Sequence, residues 1–221
     1  MSKWFIRPCK VDIGNMCRKM GINVPLALAL QAKGLNTPKK VKDYFNTENY
    51  SFGDITELIG VKRSFEIIEK AINENKKIFI YGDYDVDGVT STVILYKSLK
   101  ALGANVFYYI PNRVTDGYGL NVNAIERLIG KGMELLITCD NGIAAIEEIK
   151  YAKEKGIDVV IYDHHEPVIK DDKEILPEAD SVTDAKIENC GYDFTVMCAG
   201  GLCYRVMKSF YEYLGQKYTL E

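Results

Sequence analysis

Five aspartates and the only two histidines of the chain fall in three short clusters: Asp83-Tyr84-Asp85-Val86-Asp87-Gly88, Asp140-Asn141-Gly142 and Asp163-His164-His165. Carboxylates this close repel one another unless a cation lies between them. Hard carboxylate oxygens with a little imidazole suit Mn²⁺ or Mg²⁺ better than a structural zinc. Together the clusters can hold two divalent cations about 4 Å apart, the arrangement that activates water and clamps phosphate oxygens in phosphodiester hydrolysis. The plainer reading of the first cluster is an Asp/Gly-rich turn with one aspartate capping the helix behind it. That explains one aspartate, not three. The spacing is also not that of a helix–loop–helix calcium loop. Asp140-Asn141-Gly142 taken alone is an ordinary turn. Asp163-His164-His165 is the sharpest of the three. Adjacent side chains on a strand diverge, so one histidine is expected on metal and the other on substrate.

The elements that must position these groups are legible around them. Each cluster follows an apolar, β-branched run, at 77–81, 134–138 and 158–162. Such runs read as buried strands of a parallel sheet, and ligands of open α/β sheets lie at the carboxyl ends of the strands. Helices are expected at 89–102, at 122–131 behind an Asn121 cap, and at 143–155, with a further strand at 104–110. Repeated βα units imply a right-handed α/β fold, a parallel β-sheet flanked by helices on both faces. Residues 1–60 read as a small helical lead-in to a domain covering 61–221. There, Pro25 opens and Gly34 closes one helix, and Thr37-Pro38 begins another. A third helix is expected at 62–75. Lys39, Lys40 and Lys42 are read as a solvated helix face rather than a phosphate contact. Near the end, Val182-Thr183-Asp184 reads as a short strand. Ala199-Gly200-Gly201 opens a helix through about Tyr213, its glycines allowing close approach of a packed neighbour or a substrate.

Composition narrows the functional class. With 28 basic against 31 acidic residues the net charge is −3, which excludes a strongly basic nucleic-acid coat but not a local basic groove. The first ten residues carry no apolar leader core, and no run reaches the ~20 apolar residues of a membrane span. The six cysteines show no C-x-x-C pair, so reduced thiols and a cytoplasmic setting without membrane association are expected. Neither a Walker A loop nor a G-x-G-x-x-G is present, which disfavours nucleotide-cofactor chemistry.

At the clusters the chain resembles a known family. Tyr81 to Thr92, Asp140-Asn141-Gly142-Ile143 and Asp163-His164-His165 look like motifs I, II and III of the DHH phosphoesterase superfamily. Pro111-Asn112-Arg113, Gly117-Tyr118-Gly119-Leu120, Asn189-Cys190 and Cys198-Ala199-Gly200-Gly201-Leu202 resemble its RecJ branch. The resemblance implies a Mn²⁺- or Mg²⁺-dependent 5′→3′ exonuclease on single-stranded DNA in recombination and repair. It further implies a monomer working with a helicase and a single-strand-binding protein. Carried over residue by residue, Asp85, Asp87, Asp140 and His164 become metal ligands with Asp83 beside them. His165 becomes the contact to the scissile phosphate, Arg113 a substrate-phosphate contact, and Gly200 and Gly201 close approaches to substrate. Tyr81 stands where many superfamily members carry a metal-binding histidine. The family's motif IV aspartate is not found before Glu221, and neither are the second core domain and the oligonucleotide-binding fold. A fragment of poor or no activity is therefore expected. Two alternatives remain at this level: a DHH phosphodiesterase for short oligonucleotides or cyclic dinucleotides, and a non-catalytic DNA-binding relative.

Overall fold

A computed structural model of the 221-residue chain describes residues 12–46, 52–113, 117 and 119–220. The first ten residues, Tyr118 and Glu221 lie outside that set. The chain divides into two compact units between residues 51 and 52.

The first unit holds three helices, α1 (Ile13–Met20), α2 (Val24–Ala32) and α3 (Pro38–Phe45). Each starts on a short polar side chain: Asp12, Asn23 and Thr37 each accept a backbone N–H three residues on, satisfying one of the orphan donors of a helix start. Met16, Ala27, Leu30 and Val41 form its small core. Lys39, Lys40 and Lys42 are exposed, as a solvated face requires.

The second unit begins earlier than residue 61. A turn of 3₁₀ helix at Ile55–Glu57 sets Ile55 and Leu58 into the core beneath α4 (Val61–Asn73). Polar residues around that turn hide its membership from sequence reading. The sheet has five strands, β1 (Ile78–Tyr81), β2 (Val106–Tyr109), β3 (Leu135–Cys139), β4 (Asp158–Tyr162) and β7 (Ser181–Thr183). All are parallel, in the order β2-β1-β3-β4-β7. Crossover helices α5 (Val86–Ala101), α6 (Val122–Gly130) and α7 (Ile146–Glu154) join the first four strands, and α8 (Ala199–Tyr213) closes the unit. Alternate strand residues feed two cores. Ile78, Ile80, Leu135, Ile137, Val160 and Tyr162 pack on the face that holds α4, α5 and α8. Phe79, Tyr81, Leu136, Val159 and Ile161 pack on the face of α6 and α7. Fully burying an aliphatic side chain of this size stabilises by about 1.5–3 kcal/mol, so the central strands hold the site on a rigid base.

Two element starts differ from expectation by three residues, and both differences matter for the site. Helix α5 starts three residues early, at Val86, because Asp85 caps it. Helix α7 starts three residues late, at Ile146, leaving 141–145 as a loop. A short hairpin, β5 (Val168–Lys170) with β6 (Lys173–Ile175), was not foreseen. Its turn is Asp171-Asp172, both with positive φ, a less frequent choice than Asn-Gly for the same geometry. No helix among the described residues is long and apolar enough to cross a membrane.

Candidate active site

From β1 the chain crosses to β2 on one side of the sheet and later to β3 on the other, so the β1/β3 junction is the topological switch point where open α/β sheets bind ligands. The first two clusters sit at its carboxyl end, and the third at the end of adjacent β4.

The three aspartates after β1 have different surroundings. Asp83 is 2% exposed, and its Oδ1 has no hydrogen-bond partner among the described residues. Burial pushes this carboxyl above the usual range, with the Asp85 charge adding to it against a hydrogen bond from the Tyr84 amide. Asp85 caps α5, accepting the Gly88 N–H at 2.9 Å, and that bond holds its carboxyl low. The two sites crowd each other: a Cβ on Gly88 would stand 2.5 Å from the Asp83 carbonyl oxygen. Asp87 lies in the first turn of α5 and reaches the first turn of α8. It accepts the Ala199 N–H at 2.8 Å and the Gly200 N–H at 2.7 Å. Two helix N-termini thus converge on one carboxylate, which suits its charge.

Asp140, directly after β3, is 2% exposed and adopts φ 60°, a left-handed conformation that Asp tolerates better than most residues. Burial first, then the Asp87 and Asp85 charges, push its carboxyl up to about 8. Asn141 spans the switch point, donating to the Cys139 carbonyl at 3.1 Å and the Tyr81 carbonyl at 3.4 Å. Gly142 turns at φ 115°, and a Cβ there would lie 2.5 Å from Thr138 Oγ1.

After β4, Asp163 is 1% exposed and fully engaged. Its Oδ1 accepts the His164 N–H at 2.7 Å, the His165 N–H at 3.3 Å and His165 Nδ1 at 2.7 Å; its Oδ2 accepts the Ile143 N–H at 2.9 Å. Burial would raise this carboxyl, but the His165 and backbone bonds outweigh it and hold it low. The same pair holds the His165 imidazole above its ordinary value. The two histidines diverge as expected. His164 Nε2 lies 3.0 Å from Asp140 Oδ1 and 3.5 Å from Asp87 Oδ2, while His165 turns to Asp163.

Two sets of donors come within 4.8 Å of one another: Asp83, Asp85 and Asp140, and Asp140, His164 and His165. They share Asp140. A buried Asp83 oxygen without a partner among the described residues and an Asp140 carboxyl pushed up by burial and by the Asp87 and Asp85 charges both call for a cation, and the oxygen-rich set suits Mn²⁺ or Mg²⁺.

The remaining predicted residues fall in different places. The exposed Arg113 sets its guanidinium 5.4 Å over the Tyr84 ring, near enough for its charge to lower Asp83. Gly200 gives its amide to Asp87, and a Cβ on it would meet Asp87 Oδ1 at 3.2 Å; one on Gly201 would meet Met197 Cγ at 3.3 Å. Packing accounts for both glycines. Tyr81 is fully buried, and its hydroxyl donates to the Gly119 carbonyl at 3.0 Å and accepts from Asn121 Nδ2 at 3.3 Å.

The sequence places Asp163 and Asn141 in their clusters without a role of their own, and leaves Asp184 outside the site. Asp184 follows β7, is fully buried, accepts the Lys186 N–H at 2.8 Å and leaves Oδ2 without a partner among the described residues. Burial and the Asp163 charge push it up to about 7, against the Lys186 amide. An acid directly after a strand, the signal used for the other clusters, was available for it too.

Residues 77–221 match the DHH family, N-terminal domain. The single-stranded-DNA-specific exonuclease RecJ of Bacillus subtilis is 37% identical over 205 residues, 92% of this chain and 25% of that protein. The protein of the same name from Escherichia coli is 31% identical over 159 residues, 72% of this chain and 27% of its own length. A crystal structure of exonuclease RecJ bound to manganese matches with a TM-score of 0.64 at 30% identity, over 72% of this chain and 39% of that one. The chain spans about a quarter of the length of these curated relatives.

Proposed function

The chain belongs to the DHH family, and from that premise we propose that it carries the phosphodiester-hydrolysing site of a RecJ-type exonuclease acting 5′→3′ on single-stranded DNA. The observation that supports this most is the pair of donor sets meeting at Asp140. In this reading Asp83, Asp85, Asp87, Asp140 and His164 hold Mn²⁺ or Mg²⁺. When bound, such cations supply a water of lowered pKa and Lewis acidity at phosphate.

The protein's own groups do the rest. Asp163 fixes His165 through Nδ1, which leaves Nε2 to face the scissile phosphate. Arg113, permanently charged and aligned on Tyr84, takes a flanking phosphate. Asp87 ties α8 to the site, so Gly200 serves through its amide to Asp87 rather than by touching substrate. The similarity to RecJ proteins over most of this chain supports the substrate class. A helicase and a single-strand-binding protein as partners, a monomeric state and a cytoplasmic setting go with the same reading. So does a domain arrangement in which this chain is followed by motif IV and a second core domain.

The test is a chimera in which these residues replace the matching quarter of the Bacillus subtilis protein, given 5′- or 3′-labelled single strands with Mn²⁺. We expect loss of label from the 5′ end, and a fall of roughly 10²–10⁴-fold on Asp140→Ala. Loss from the 3′ end first, or equal cleavage by the variant, would overturn the reading.

A further inference from the structure

On the α6/α7 face of the sheet a cleft of about 380 Å³ opens beside His165. One wall is Gly119-Leu120, the other is the 141–145 loop, and Asp163, His165 and Glu148 complete the lining. We propose that this cleft seats one nucleoside, base and sugar, of the strand whose phosphate lies at His165 and the carboxylates. This rests on the phosphodiester reading and names what part of the substrate goes where.

The lining decides the chemistry. Leu120, Ala144 and Ala145, backed by buried Ile143, give the cleft apolar lining of the kind a base ring fills. Among the described residues no lysine or arginine lines the cleft. The N-terminus of α7 enters it without a side-chain cap, but Glu147 and Glu148 already occupy its first turn, and acidic side chains there complement the helix dipole. A phosphate would meet carboxylate rather than cation, whereas the amino and hydroxyl donors of a nucleoside would find an acceptor in half-buried Glu148. The phosphate therefore belongs at the mouth, where His165 stands.

The cleft is preformed, and its walls are pinned by site residues. Asp163 Oδ2 holds the Ile143 amide at 2.9 Å on one side. The Tyr81 hydroxyl holds the Gly119 carbonyl at 3.0 Å on the other. Asn121, which binds the same hydroxyl, also caps α6 through the Ala124 N–H. Tyr81 thus acts as a positioning residue for the nucleoside wall.

The experiment is an amide-resolved NMR titration of the ¹⁵N-labelled chain with thymidine and with thymidine 5′-monophosphate, in Mg²⁺. Both should shift Leu120 and Ile143–Ala145; the monophosphate should also shift His164 and His165. Ala145→Phe, which fills the cleft, should weaken thymidine about tenfold, the equivalent of about 1.4 kcal/mol. Tyr81→Phe should weaken it several-fold, with Mn²⁺ affinity unchanged in both variants. Shifts confined to the carboxylate clusters, no thymidine binding at millimolar concentration, or indifference to Ala145→Phe would each overturn the nucleoside site while leaving the phosphodiester reading intact. Thymidine seated in the cleft of a chain that binds no divalent cation would do the reverse.

Discussion

Replacing Asp140 with asparagine should stabilise the chain when divalent cations are stripped away, and the gain should grow with pH. The exchange is nearly isosteric. The Asn Oδ1 can still receive His164 Nε2, now 3.0 Å away, and asparagine is at home at φ 60°. What changes is titration. The folded carboxyl is pushed up to about 8 from an ordinary 3.8. Between those values the native chain keeps a proton that the unfolded chain has lost. Native chains bind more protons, so stability falls as pH rises, by at most about 1.4 kcal/mol per pH unit. Over a window of roughly four units the ceiling is about 6 kcal/mol. The Asp87 and Asp85 charges supply part of that shift and the surroundings relax, so about half of the ceiling, roughly 3 kcal/mol, is the working figure.

Asparagine has no such dependence. Urea unfolding in EDTA, followed by far-ultraviolet circular dichroism, should show the variant and the parent together near pH 4 and furthest apart at pH 8. Saturating Mn²⁺ should reverse the order, because only a chain that binds the cation gains from mass action. A separation that is equal at pH 5 and pH 8, or a variant less stable at pH 8, would refute the electrostatic account of Asp140.

Other outcomes follow from the same geometry. Asp163→Asn sets an NH₂ group against the Ile143 N–H or against His165 Nδ1, and urea titration should find a loss of about 2–4 kcal/mol. In that variant the His165 imidazole, followed by NMR, should fall back toward its ordinary value. The signs differ for the two partners. The contribution of Asp163 is present above the ordinary carboxylate range and lost as pH falls through its lowered folded value. That of His165 is present below about 6.5 and lost as pH rises through its raised folded value. Gly142→Ala places a Cβ 2.5 Å from Thr138 Oγ1 at φ 115°. It should lower stability by roughly 2–3 kcal/mol and displace Asp140, read as loss of Mn²⁺ affinity.

Much of the fold was legible because its signals are local. Asn121 and Thr37 announce the helices they cap, and β4 coincides with its apolar run at 158–162. What was hidden depends on distance in sequence. Nothing near Gly200 says that its amide serves Asp87, 113 residues away. Nothing near Tyr81 says that its hydroxyl holds Gly119, 38 residues on. The β5–β6 hairpin escaped because three-residue strands carry too little alternation to read. Asp163 was visible as part of a motif, but its four accepted hydrogen bonds are a property of the fold.

The first cluster shows most clearly what sequence spacing conceals. Asp83, Asp85 and Asp87 look equivalent at intervals of two, yet a helix beginning at Val86 breaks the alternation that would have pointed them one way. Asp85 is engaged by the helix it caps, Asp87 by the helix it receives from across the unit, and of the three only Asp83 keeps a buried oxygen without a partner among the described residues. Capping and chemistry were opposed as readings of this segment, but the two coexist. Each cap holds a carboxylate in place without help from a cation. The positive ends of α5 and α8 offset the repulsion that, after burial, pushes the Asp140 carboxyl up. A site that must gather several like charges before its cation arrives is thus held together by backbone amides, and the glycines at 88 and 200 are what let those amides come close enough.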